Sequence, residues 1–233
     1  MRKRYRVAVA ATTVIELLRS PTPETAAFFS NDKKKFHICT CDDRYARYMG
    51  LAGDFAMKRI LGVSIPGSSN IEAWFKRQVK SILKADTQAE FFRTFDHEAH
   101  KKRHLEGLAL HRQWFTLAKS SQYGFPTPER WGVNWWKDYG VPINEQQGVF
   151  LAERLTALYA YQKASFEAAD GNRGLNVEKR DGDWIDAQQL VYLCEPDMHL
   201  LTDDSAIRDK AAASEQSRRI LILSEFMKDL GIT

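Results

Sequence analysis

The alternation that fills the last fifty residues constrains this chain more than any other feature. An apolar helical pattern runs from Ile185 to Leu193, and a short apolar run follows at Met198-His-Leu-Leu-Thr202. A helix then spans Ser205 to Ser214, and a second apolar run, Arg219-Ile-Leu-Ile-Leu223, leads into a closing helical stretch from Ser224 to Leu230. Two strands separated by a helix cannot pair as a tight hairpin. They pair in parallel with the helix as the crossover, which puts the chain in the α/β class. In such a sheet, functional side chains gather where strands end and loops begin.

Acids accumulate at that edge. Thr202-Asp203-Asp204 ends the first strand run, and Asp204 opens the following helix, where free backbone amides favour a carboxylate. Helix capping alone accounts for that residue. Asp186 adds a second position on the preceding helix, with Asp183 about one turn earlier on nearly the same face, while Ile185, Leu190, Val191 and Leu193 make the rest of that helix apolar. Carboxylates gathered at an apolar sheet edge are costly unless a cation neutralises them. Hard divalent ions such as Mg²⁺ or Mn²⁺ take oxygen ligands and keep several waters, so two or three acids suffice. A metal held in that way activates water and stabilises the charge developing on a phosphodiester.

The run Asp186-Ala-Gln-Gln-Leu-Val-Tyr-Leu193, followed by Pro196-Asp-Met-His-Leu-Leu-Thr-Asp-Asp204, resembles the C-terminal half of PIN-type metal-dependent nucleases, in which an acid on a helix precedes a strand ending in Thr-x-Asp. Near the start, Val7-Ala-Val-Ala-Ala-Thr-Thr-Val-Ile-Glu-Leu-Leu18 resembles that family's second motif, a Ser- or Thr-started helix carrying Glu-Leu-Leu. The resemblance implies a three-layer α/β/α sandwich with a short parallel sheet. It implies Glu16, Asp186 and Asp204 as catalytic ligands of Mg²⁺ or Mn²⁺, Asp183 and Asp203 as auxiliary acids, and Thr202 positioning the turn. The activity it implies is endoribonucleolytic cleavage of RNA, with an antitoxin-like protein or a second copy as further partners. The family's first acid has no counterpart, since fifteen residues precede Glu16 and none of them is acidic. The chain is therefore expected to lack the family's first strand and helix. The alternative is a catalytically incomplete PIN-like module that binds nucleic acid or protein.

Residues 44–169 have no counterpart in small PIN domains and read as a helical insertion within one domain spanning 1–233. Ile71, Trp74, Phe75, Val79 and Leu83 form one helical stripe, Phe91 to Lys119 continues that spacing, and Gln147 to Ala168 reads as a single helix. Upstream, Lys35 to Cys41 alternates like a strand, and Arg6 to Leu18 begins apolar before turning helical behind Thr12 or Thr13. Lys76, Arg77, Lys80, Lys84, Lys101, Lys102, Arg103 and Arg112, with the cluster Trp131, Trp135, Trp136 and Tyr139, offer a groove for phosphates and stacked bases. Interruption of the positive run by Asp86, Glu90, Asp96 and Glu98 favours a solvated charged face over an aromatic core instead.

Composition narrows the remaining classes. A hydrophobic content of 44% is ample for a core, and 34 Lys and Arg against 30 Asp and Glu is a mild bias, not a dense basic field. No apolar run is long enough to span a bilayer, so no membrane partner is expected. Cys39, Cys41 and Cys194 cannot all pair, which suits free thiols in a reducing cytoplasm. His100 and His104 have zinc-pair spacing beside His97 and His111, but Lys101-Lys-Arg103 fills the gap and no third ligand follows, so an exposed polar helix face is expected. His37, Cys39 and Cys41 lack a second pair at zinc-finger spacing. No Gly-rich phosphate loop or Gly-x-Ser-x-Gly elbow occurs.

Overall fold

The computed structural model describes residues 8–9, 37–38, 52–63, 73, 77, 80–81, 84–95, 97–98, 101–102, 105–106, 109, 116, 124–137, 141–170, 186–187 and 189–229. These are mostly helical, with two short pairs of parallel strands. The chain divides into two compact units, residues 1–55 with 67–101, and residues 56–66 with 102–233.

In the first unit, β1 (Ala8–Val9) pairs in parallel with β2 (His37–Ile38), Ala8 opposite His37 and Val9 opposite Ile38. Helix α1 (Ala52–Ile60) begins in this unit and continues into the second. Helix α2 (Gln88–Thr94) starts where Thr87 accepts from the Glu90 amide at 3.1 Å, while Glu90 reaches back to accept from the Asp86 amide at 2.8 Å. These bonds satisfy amides that the first turn leaves open. The helical spacing expected to run unbroken from Phe91 is interrupted at Phe95, which is extended. No Pro or Gly causes the break. Phe95 instead turns into a buried aromatic group, its ring 5.3 Å from that of Phe91 and 4.8 Å from that of His97. His97 also stacks on Phe92, with Nε2 3.1 Å from the Phe92 carbonyl oxygen. His100, His104 and His111 lie outside the described residues.

The second unit is built around helices α3 (Pro128–Lys137), α4 (Glu145–Arg154) and α5 (Thr156–Asp170). Helices α3 and α4 meet at two glycines. A Cβ added to Gly132 would stand 2.1 Å from the Gly148 carbonyl oxygen, and one added to Gly148 would stand 2.6 Å from Val133 Cγ2. Any larger residue at the contact forces the backbones apart. Trp131 is fully buried, donating from Nε1 to Gln162 Oε1 at 2.7 Å, with its ring edge-on to Tyr159. It is a core residue and offers no face for base stacking.

Helix α4 begins two residues earlier than its apolar pattern suggests, because Asn144 and Gln147 form a reciprocal capping box: Asn144 accepts from the Gln147 amide at 2.8 Å, and Gln147 accepts from the Asn144 amide at 3.0 Å. The single helix expected over Gln147 to Ala168 is two helices, broken at Leu155. Gln216 bridges the break. Its carboxamide accepts from the Ala157 amide at 3.0 Å and donates to the Arg154 carbonyl at 2.9 Å, replacing partners within the helical ladder. Ser214 reinforces the contact, with its Oγ 2.6 Å from Thr156 Oγ1.

The expected parallel crossover is present. β3 (Leu200–Thr202) and β4 (Ile220–Ile222) pair in parallel, Leu200 opposite Ile220, Leu201 opposite Leu221 and Thr202 opposite Ile222. Helix α6 (Ser205–Lys210) and a 3₁₀ helix (Glu215–Arg219) connect them, and α7 (Leu223–Asp229) follows. Ile207, Ala211, Ile220 and Ile222 are buried, as are Leu190, Val191 and Leu193 before the sheet. Among the described residues no helix is long and apolar enough to cross a membrane.

Candidate functional site

The carboxyl end of β3 is shaped by a short polar turn. Thr202 ends the strand, and its Oγ1 accepts from the Asp204 amide at 3.1 Å, which folds the chain back over one residue. Asp204 takes extended backbone angles as the N-cap of α6, and its Oδ1 accepts from the Ala206 amide at 2.8 Å. Capping is therefore a real role of this side chain. Asp203 and Asp204 are both exposed.

Because the strands are parallel and Thr202 lies opposite Ile222, the segment after β4 opens on the same edge. Glu225 stands there, a carboxylate that the sequence reading passed over. Arg208 of α6 grips it through two hydrogen bonds, Nη1 to Oε2 at 2.5 Å and Nη2 to Oε1 at 3.1 Å. The guanidinium holds the Glu225 carboxyl below the usual glutamate range. Glu225 is thus neutralised by a side chain, whereas Asp203 and Asp204 carry no ion pair among the described residues.

Behind the edge, the chain enters β3 through a turn fixed by arginines. A 3₁₀ helix (Val191–Cys194) ends in carbonyls that need partners. Arg219 donates to the carbonyls of Leu193, Glu195 and Met198, and Arg154 donates to that of Cys194 at 3.3 Å. Partial burial lowers the Arg219 pKa from its ordinary value. Arg59 holds the Glu195 side chain by two bonds, 2.7 and 2.6 Å long, and this pairing depresses the Glu195 pKa. Cys194, enclosed by the same turn, is buried, and burial pushes its thiol pKa up to about 12. It is a packing residue with no nucleophilic character near neutrality.

Asp186 lies in a helical stretch and is half-buried. Glu16 and Asp183 fall outside the described residues, as do Cys39 and Cys41. Hard carboxylate oxygens suit a hard divalent cation, and Asp204 keeps its Oδ2 available while Oδ1 caps the helix. Among the described residues no three His, Cys, Asp or Glu side chains stand close enough to hold a metal ion.

The sequence signals that located Thr202, Asp203 and Asp204 were the end of an apolar run and the Thr-x-Asp spacing. Arg219 carried a weaker signal, a cation opening an otherwise apolar strand, which buried packing tolerates only when acceptors wait for it. Comparison with protein-family models, with curated proteins and with solved structures gave no match to this chain.

Proposed function

We propose that this chain is a metal-dependent endoribonuclease of PIN type, a three-layer α/β/α sandwich with a helical insertion over residues 44–169. The observation that supports the reading is the Thr202-Asp203-Asp204 turn at the carboxyl end of β3 beside a parallel β4. Glu16, Asp186 and Asp204 would hold Mg²⁺ or Mn²⁺, with Asp183 and Asp203 as auxiliary acids. When bound, such a cation supplies charge neutralisation at a phosphodiester and acidifies water. The chain's own contribution is positional: Thr202 fixes the Asp204 backbone, and α6 fixes the direction of its carboxylate. RNA is the substrate in this reading.

Asp204→Asn separates the two roles of that residue. Asparagine caps helices as well as aspartate does, so the fold is kept, while the charge that a cation needs is lost. Cleavage of a labelled RNA in Mn²⁺ that disappears in Asp204→Asn and Asp186→Asn, with unchanged thermal unfolding, is the expected result. A second reading, a PIN-like module that binds without cutting, draws on the engagement of Asp204 Oδ1 by the Ala206 amide. Wild-type chain that binds RNA and leaves it intact under Mg²⁺, Mn²⁺ and other divalent ions would establish that second reading in place of the first.

A further inference from the structure

We infer that Arg77, Lys80 and Lys84 form a docking face for the phosphate backbone of single-stranded RNA. All three are helical and exposed. In α-helical geometry, with 3.6 residues and 5.4 Å per turn, positions spaced by three and four fall within an arc of about 60° and span about 10 Å. A span of about 10 Å puts one cation within reach of each of about three successive phosphates when the strand is stacked as in a duplex, at about 3.4 Å per nucleotide. Between Glu72 and Asp86 the sequence contains four cations and no acid.

The acids that seemed to interrupt this charge are partly accounted for by the structure. Glu90 turns its carboxylate back onto the Asp86 amide at 2.8 Å, where it serves the start of α2. None of the three cations has a carboxylate partner among the described residues, where ion pairs such as Arg59 with Glu195 and Arg208 with Glu225 involve other cations. Lys and Arg side chains without counter-charges displace the cations condensed along a polyanion, and the release of those cations favours association. A membrane surface is the weaker fit, because interfacial helices also insert apolar side chains. The large exposed hydrophobics among the described residues, Val63, Leu105, Phe150 and Leu223, all belong to the other unit.

The assignment of RNA rests on the nuclease reading; the cationic face itself rests on exposure and spacing. The test is fluorescence anisotropy of a labelled oligouridylate with the full chain in EDTA, across a salt series. The variant Arg77→Gln, Lys80→Gln, Lys84→Gln keeps good helix formers at exposed positions. A control of equal charge change, Arg130→Gln, Arg218→Gln, Lys228→Gln, removes exposed cations from the other unit. With three phosphates engaged, the slope of log affinity against log salt falls by about 2 in the first variant, and affinity drops roughly a hundredfold at 0.1 M salt. The control stays near wild type.

Equal losses in both variants, or none in the first, would overturn the face. So would competition by polyglutamate as effective as that by RNA, or capture by phosphatidylserine vesicles without RNA binding. Cleavage of the same RNA with Mn²⁺ in place of EDTA, measured beside the binding, keeps the two ideas apart. Binding by a wild-type chain that never cleaves sinks the nuclease and leaves the face standing; cleavage with unimpaired binding in the first variant does the reverse.

Discussion

Where α3 crosses α4, two backbones touch with no side chain between them, whereas at the carboxyl end of β3 two aspartates stand in solvent. Both places are set by short-range chemistry, yet they differ in what they tolerate. The crossing admits only glycine, because the space a methyl would fill already holds the Gly148 carbonyl. The edge accepts any side chain that can receive the Ala206 amide, so its particular residues can be selected for charge without cost to the fold. Packing specifies the first place and leaves the second open to chemistry.

The sharpest way to break that contrast is Gly132→Ala. A Cβ at 2.1 Å from backbone oxygen cannot be absorbed by a side-chain rotation, so α3 and α4 must separate, at a cost of roughly 3 kcal/mol or more. Urea unfolding that shows less than about 1 kcal/mol of loss would mean the crossing is adjustable and the contrast false.

Gln216→Ala comes next. It leaves the Ala157 amide and the Arg154 carbonyl without their partner, and about 2 kcal/mol should be lost, with faster hydrogen exchange at the Ala157 amide. An unchanged exchange rate there would show that the helix closes its own ladder once the carboxamide is gone.

At the edge the expected effects are smaller and depend on the substitution. Asp204→Ala should cost about 1 kcal/mol through the lost cap, and Asp204→Asn only a few tenths. Equal losses from the two would point to the charge, not the cap, as the stabilising element. The smallest effect is the pH dependence of the Arg59–Glu195 pair. The Glu195 pKa is depressed in the fold, so its contribution is present at pH values above the unfolded glutamate range and is lost as pH falls through the folded value. Arg59 is half-exposed, which keeps the contribution modest. Denaturation midpoints between pH 3 and pH 7 in wild type and Arg59→Leu should converge at the acid end.

The sequence made β3, α6, β4 and α7 legible because each is a short run whose apolar residues and breaks are local. The Thr202-Asp204 turn was readable for the same reason, since Thr202, Asp204 and Ala206 bond across two residues at a time. The break at Leu155 was not readable: nothing between Gln147 and Ala168 signals it, and Gln216, which bridges it, lies about sixty positions later. Phe95 ended α2 in a similar way, through a ring packing that periodicity does not register. Arg219 escaped notice because the carbonyls it satisfies belong to a turn more than twenty residues earlier. Of the acids drawn together by the resemblance, Asp186, Asp203 and Asp204 can be placed, while Glu16 and Asp183 lie outside the described residues.

The bond from Gln216 to Arg154 spans 62 positions in the chain. At a synthesis rate of about 5–20 residues per second, roughly 3–12 s separate the appearance of Arg154 from that of the side chain that bonds its carbonyl. During that interval the Ala157 amide and the Arg154 carbonyl have water in place of the carboxamide. The bridge across Leu155 is consequently completed late in the life of each molecule, and it marks a molecule whose C-terminal segment has reached its place.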